Sequence, residues 1–141
     1  MKIIRIVKYA IVIMLLQIAL STLLNIVFGF ERYISSRLGD YILIAIIPSS
    51  VLSFLLYGVM AYRSDNYAWR YTFYVYFLGF LLGAVTVSLI LQEFYFFSET
   101  SIIELPVSLL VITLATLTGL KLRAKNERLK LSNIEHYISG P

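Results

Sequence analysis

Residues 71–92, YTFYVYFLGFLLGAVTVSLILQ, run for twenty-two positions without a formal charge. As a helix rising about 1.5 Å per residue they cover about 33 Å, enough for a hydrocarbon core about 30 Å thick. The stretch reads as a membrane helix. Within it Gly79 and Gly83 form a small-xxx-small pair, which lets a neighbouring backbone approach closely.

Composition extends the argument to the whole chain. Hydrophobic residues make up 60% and charged residues 14%, against about 25% charged in an average soluble protein. Spans are expected near residues 9–30, 41–62, 71–92 and 103–120. At about 20 residues per crossing they take up most of the 141 residues and leave no stretch for a separate soluble catalytic domain. The expected fold class is an all-α integral membrane protein. An antiparallel bundle of four transmembrane helices occupies residues 1–120, and a short basic, amphipathic cytosolic tail occupies residues 121–141.

The net charge of +4 is distributed unevenly. Lys2, Arg5 and Lys8, then Arg63 and Arg70, then Lys121, Arg123, Lys125, Arg128 and Lys130 all fall on one side of a four-span chain. Only Arg32 and Arg37 fall on the other, beside Glu31, Asp40, Glu93, Glu99 and Glu104. This is the positive-inside pattern, and it places both termini in the cytoplasm of a bacterial inner membrane. The basic charge is thus assigned to orientation and anionic lipid, with Lys121, Arg123, Lys125 and Arg128 at the headgroups and no direct contact with nucleic acid. The absence of cysteine excludes disulfides, thiolate metal sites and thiol redox chemistry.

The first span follows a basic lead, but its apolar run exceeds a signal-peptide h-region of about 7–15 residues and no A-x-A site follows, so an uncleaved anchor is expected. Gln17, Ser21 and Asn25 recur every four residues and share one face. Such a face turns into the bundle, either for interhelical hydrogen bonds or as the lining of an oligomeric pore. In the second span Pro48 lacks an N–H and crowds the carbonyl of Ile44, which predicts a kink. Ser49, Ser50 and Ser53 stand where they can satisfy the backbone groups that a kink frees.

Aromatic residues cluster where interfaces would lie: Tyr62, Tyr67, Trp69, Tyr71 and Tyr74 at one end of the third span, Phe94, Tyr95, Phe96 and Phe97 at the other. Gly39-Asp40 reads as the turn of the first outer loop. In the fourth span Ala115 and Gly119 repeat the small-residue spacing, so one pair serves packing within the chain and the other packing between copies in a homo-oligomer. Ser101 and Glu104 match a capping box, whereas Pro106 removes a donor one turn later, and the two signals place the helix start a few residues apart. In the tail, Leu131, Ile134, Tyr137 and Ile138 offer a stripe to a cytosolic protein partner. Ser132 and Glu135 match a second capping box, which predicts a break between two short helices there.

Residues for chemistry are scarce. The single histidine, His136, lacks the His or Cys partners of a metal site, and no phosphate loop, H-E-x-x-H or G-x-S-x-G pattern occurs. No formal charge falls within residues 9–30, 41–62, 71–91 or 105–120, which argues against proton coupling and voltage sensing. The expectation is a protein without enzymatic activity, cofactor or metal. It oligomerises and acts as membrane anchor and sensor for a cytosolic effector. A composition rich in Ile, Ser and Tyr associates such chains with defence cassettes. The alternatives are an immunity or exclusion protein that neutralises a pore-forming toxin inside the bilayer, and an oligomeric pore.

Overall fold

The computed structural model describes residues 3–28, 42–64, 67–92 and 101–138, with the side chains of residues 91, 101 and 131–138 outside that description. Four helices account for nearly all of it: α1 (Ile3–Phe28), α2 (Ile47–Arg63), α3 (Ala68–Leu91) and α4 (Ser101–Ile138). A π-helical segment, Ile42–Ile46, leads directly into α2. Four stretches are long and apolar enough to cross a membrane: Ile3–Phe28, Ile42–Arg63, Ala68–Ile90 and Ile102–Lys130. The described residues contain no strand. This is the layout of a multi-pass membrane protein.

The helices associate as two pairs. α2 lies along α4 and α1 along α3, while contacts between the pairs are sparser. The closeness of α2 and α4 comes from Gly119, since a Cβ there would stand 2.4 Å from the carbonyl oxygen of Gly58 and 2.9 Å from the Cβ of Ala61. Missing side chains let the two backbones touch, and in lipid this contact is held by dispersion rather than by expulsion of water. Beyond the crossing, Asn126 Nδ2 donates to the Tyr62 hydroxyl at 2.6 Å and the Arg123 guanidinium donates to the Ser64 carbonyl. Arg123 also pairs with Glu127 at 2.8 Å, one turn along the same helix.

The well-packed core occupies one end of the bundle. Ile6, Ala10 and Ile13 of α1 meet Tyr57 and Met60 of α2, Tyr71 and Val75 of α3, and Ile112 and Ala115 of α4. Tyr71 therefore belongs to this core, with its ring edge-on to Tyr9 at 6.3 Å. Its expected neighbours in the aromatic belt, Tyr62, Tyr67, Trp69 and Tyr74, are exposed, and Arg70 stacks over Tyr67 at 5.8 Å. The buried hydroxyls of Thr72 and Thr116 donate to the carbonyls of Ala68 and Ile112, four residues back, and so need no partner on another helix.

Two expectations change. α4 is a single helix of 38 residues, about 57 Å long, and it passes Ser132 without a break. Lys, Arg, Glu, Ala and Leu fill residues 121–131 almost completely, and these strong helix formers outweigh a local capping signal. The helix also begins at Ser101 and takes Pro106 into its second turn. There the missing N–H leaves only the carbonyl of the highly exposed Ile102 without its partner. The Gly39-Asp40 turn and the cluster of Phe94, Tyr95, Phe96 and Phe97 lie outside the described residues.

Candidate functional site: a polar cavity between the helix pairs

Away from the core, the two pairs diverge and enclose a cavity of about 440 Å³ to which all four helices contribute. Its floor is the upper layer of the core, at Ile13, Tyr57 and Ile112. Its lining ends, away from the core, at the level of Leu24, Ala45, Val87 and Glu104, which we term its mouth. The volume falls in the usual range for small-molecule sites, about 300–1,000 Å³.

The π-helical turn shapes one wall. Pro48 sits in the first turn of α2, after Ile42–Ile46. In a regular α-helix its ring would strike the carbonyl of Ile44, and widening the turn before it relieves that clash. Beside the proline, Ser49 Oγ donates to the Ile46 carbonyl at 3.0 Å. The consequence is a row of hydroxyls, Ser49, Ser50 and Ser53, along the cavity wall.

Two hydrogen bonds cross from one pair to the other within this space. Gln17 Nε2 of α1 donates to Ser53 Oγ of α2 at 3.1 Å. Tyr76 of α3 and Ser108 of α4 approach to 2.8 Å. Ser108 gives its only proton to the Leu105 carbonyl at 2.9 Å, so the tyrosine hydroxyl is the donor across the gap. Gln17 and Ser21 of the polar face on α1 thus line the cavity. Asn25 does not, and its shielded Oδ1 accepts no hydrogen bond among the described residues.

The small residues divide in the same way. Ala115 is buried in the core and Gly119 in the crossing of α2 and α4. Gly79 and Gly83 instead line the cavity, and a Cβ at either would meet nothing within 4 Å. Spacing alone does not separate the two cases. Gly58, the counterpart of Gly119, was missed on the sequence, although Gly58 and Ala61 stand three apart on one face.

Among the described residues Glu104 carries the one formal charge on the cavity lining, at its mouth. Among the described residues no three His, Cys, Asp or Glu side chains gather as metal ligands do. Leu131, Ile134, Tyr137 and Ile138 lie on the last turns of α4, with side chains outside the described residues. Lys121, Lys125 and Arg128 are exposed on the helix surface, and Arg123 is half-buried against the end of α2. No family model matches the chain, and comparison with curated proteins and with solved structures gave no match.

Proposed function

We propose that this chain is a non-enzymatic anchor and sensor of the bacterial inner membrane, which assembles as a homo-oligomer and carries a cytosolic effector on its C-terminal helix. The four helices stand antiparallel in the bilayer with both termini in the cytoplasm. The distribution of charge supports that orientation: Arg5, Lys8, Arg63, Arg70 and the basic run after Leu120 belong to the core end of the bundle. The cavity mouth then faces the outer side. A change there is passed inward to whatever is docked on the tail.

One observation carries this reading. α4 runs without interruption from the cavity wall at Ser108 and Ile112, through the crossing at Gly119, into residues 121–138. About 25 Å of it exceeds a 30 Å hydrocarbon core. The helix continues past Ser132 without a break, so it is presented as a rod rather than laid back on the headgroups. The Arg123–Ser64 and Asn126–Tyr62 contacts fix the base of the rod to α2.

The test compares the full chain with one ending at Lys121, both inserted in membranes and captured in mild detergent. A stoichiometric cytosolic partner should be retained by the full chain and lost from the truncated one. Ile134→Asp with Ile138→Asp should lose it as well. A partner that stays bound after truncation would overturn the reading and favour recognition through the helix faces, as an immunity protein would use.

A further inference from the structure

The cavity has a chemistry of its own, and it specifies a ligand. Its polar wall is built from hydroxyls and one amide: Gln17, Ser53, Tyr76 and Ser108, with Ser49 and Ser50 beside them. Each of these groups can both donate and accept. None carries charge. Between them lie apolar patches such as Met14, Phe80 and Val111. An ion drawn to this depth would lose its water without gaining a counter-ion, which is unfavourable in a low-dielectric site.

A second observation shows that the space is built into the backbone. Gly79 and Gly83 stand on the cavity wall with nothing within 4 Å of where a side chain would begin. On α4 the equivalent pair of small residues is consumed by close packing. On α3 the same economy of side chains leaves room instead.

We infer that the cavity between the helix pairs binds an uncharged amphiphile, whose hydroxyl- or amide-bearing head is held by Gln17, Ser53, Tyr76 and Ser108. The apolar part of the ligand lies against Met14, Phe80 and Val111 and extends toward the mouth. The head competes for the two hydrogen bonds that tie α1 to α2 and α3 to α4, so occupancy alters how the pairs are joined. This inference deepens the sensor reading by naming what the outer end senses, and it rests on that reading only for its consequence, not for binding.

The experiment uses the full chain in lipid nanodiscs, free of sugar detergents that would compete for the site. Three probes with the same diazirine-bearing acyl chain are compared at equal membrane concentration: a monoacylglycerol, a fatty acid and a primary alkylamine. Photolabelled peptides are mapped by mass spectrometry. The monoacylglycerol should label cavity-lining residues about tenfold more than either charged probe. Gly83→Leu and, separately, Gly79→Val should lower that labelling about tenfold, while the circular dichroism of the protein stays unchanged and its thermal stability does not fall. Gln17→Leu should weaken labelling without filling the space. Water-soluble glycerol in excess should compete if the head alone suffices, whereas competition by unlabelled monoacylglycerol alone marks a bilayer-derived ligand. Equal labelling by all three probes, labelling confined to lipid-facing positions, or undiminished labelling in both filled variants would overturn the inference. Truncation at Lys121 should leave labelling intact, so loss of the tail partner and loss of the ligand are read apart.

Discussion

Gly119 and Gly58 face each other where α2 crosses α4, yet their substitution by alanine should have opposite outcomes. A Cβ on Gly119 would lie 2.4 Å from the Gly58 carbonyl oxygen, 2.9 Å from Ala61 Cβ and 3.0 Å from the Tyr62 nitrogen. Two of these three neighbours are backbone, and neither can rotate away. Ordinary contact starts at 3.4 Å, so the helices must part by about 1 Å at their closest point and forfeit dispersion along the seam. Overpacking of this kind costs about 1–3 kcal/mol. The better helix propensity of alanine returns at most about 1 kcal/mol. Gly119→Ala is therefore expected to destabilise the protein by up to about 2 kcal/mol.

A Cβ on Gly58 meets only the Ala115 carbonyl oxygen, at an ordinary 3.7 Å, and at Gly79 or Gly83 it meets nothing. These three alanine variants keep the propensity gain and should match or exceed the parent by up to about 1 kcal/mol. The propensity gain is common to both, so the separation between Gly119→Ala and Gly83→Ala should be the overpacking cost, about 1–3 kcal/mol, roughly 5- to 150-fold in the unfolding equilibrium. Reversible unfolding by dodecyl sulfate in mixed micelles, followed by far-ultraviolet circular dichroism, resolves such a difference. If Gly119→Ala unfolds at the same detergent fraction as Gly83→Ala, the α2–α4 crossing is not the close contact described and the reasoning is wrong.

Pro48→Ala should allow residues 42–46 to rewind from π to α geometry, which turns the chain before Pro48 by about 100° for each residue drawn into the regular helix. The chain has no cysteine, so a single cysteine at the exposed Leu43 reports this turn through its reactivity; identical reactivity with and without the proline would refute the assigned cause. A double-mutant cycle on Gln17→Leu and Ser53→Ala should give a coupling of about 0.5–1.5 kcal/mol. The cycle on Tyr76→Phe and Ser108→Ala should give a similar value, and zero coupling in both would mean that nothing polar ties the pairs together.

Hydropathy made the number of long apolar helices legible, because lipid leaves no other use for four largely apolar stretches of that length. It did not reveal how they pair. Gly79 with Gly83 and Ala115 with Gly119 carry the same signal, yet one lines a cavity and the other is filled by a neighbour. Glycine spacing encodes permission for a close approach, and whether an approach occurs depends on what the facing helix brings there. α2 brings Gly58 and Ala61 to Gly119, but nothing comes to Gly83. The partner of Gln17 was hidden for a related reason. The rotation of α2 about its axis decides that Ser53 faces α1, and that rotation is fixed only when α2 packs on its neighbours. A kink is written in the sequence as proline, but the widened turn that results is a compromise reached only in the folded backbone.

The uneven packing also constrains what can move. Within each pair the helices are in close contact, while polar bonds and sparser apolar contacts join the pairs. The core end is continuous across all four helices, from Ile6 and Ala10 to Val75 and Ala115. On this reading the pairs pivot about the core end, and the cavity end opens and closes. The base of the α4 extension is tied to α2 at Tyr62 and Ser64, so it travels with its own pair and not with α1 and α3. A spin label on the exposed Leu129 should therefore keep a fixed distance to one on the exposed Val59 of α2 when the cavity is filled by Gly83→Leu. Its distance to a label at the exposed Ile4 of α1 should shift. If both distances are constant, the two pairs form one rigid body and the cavity has no mechanical route to the tail.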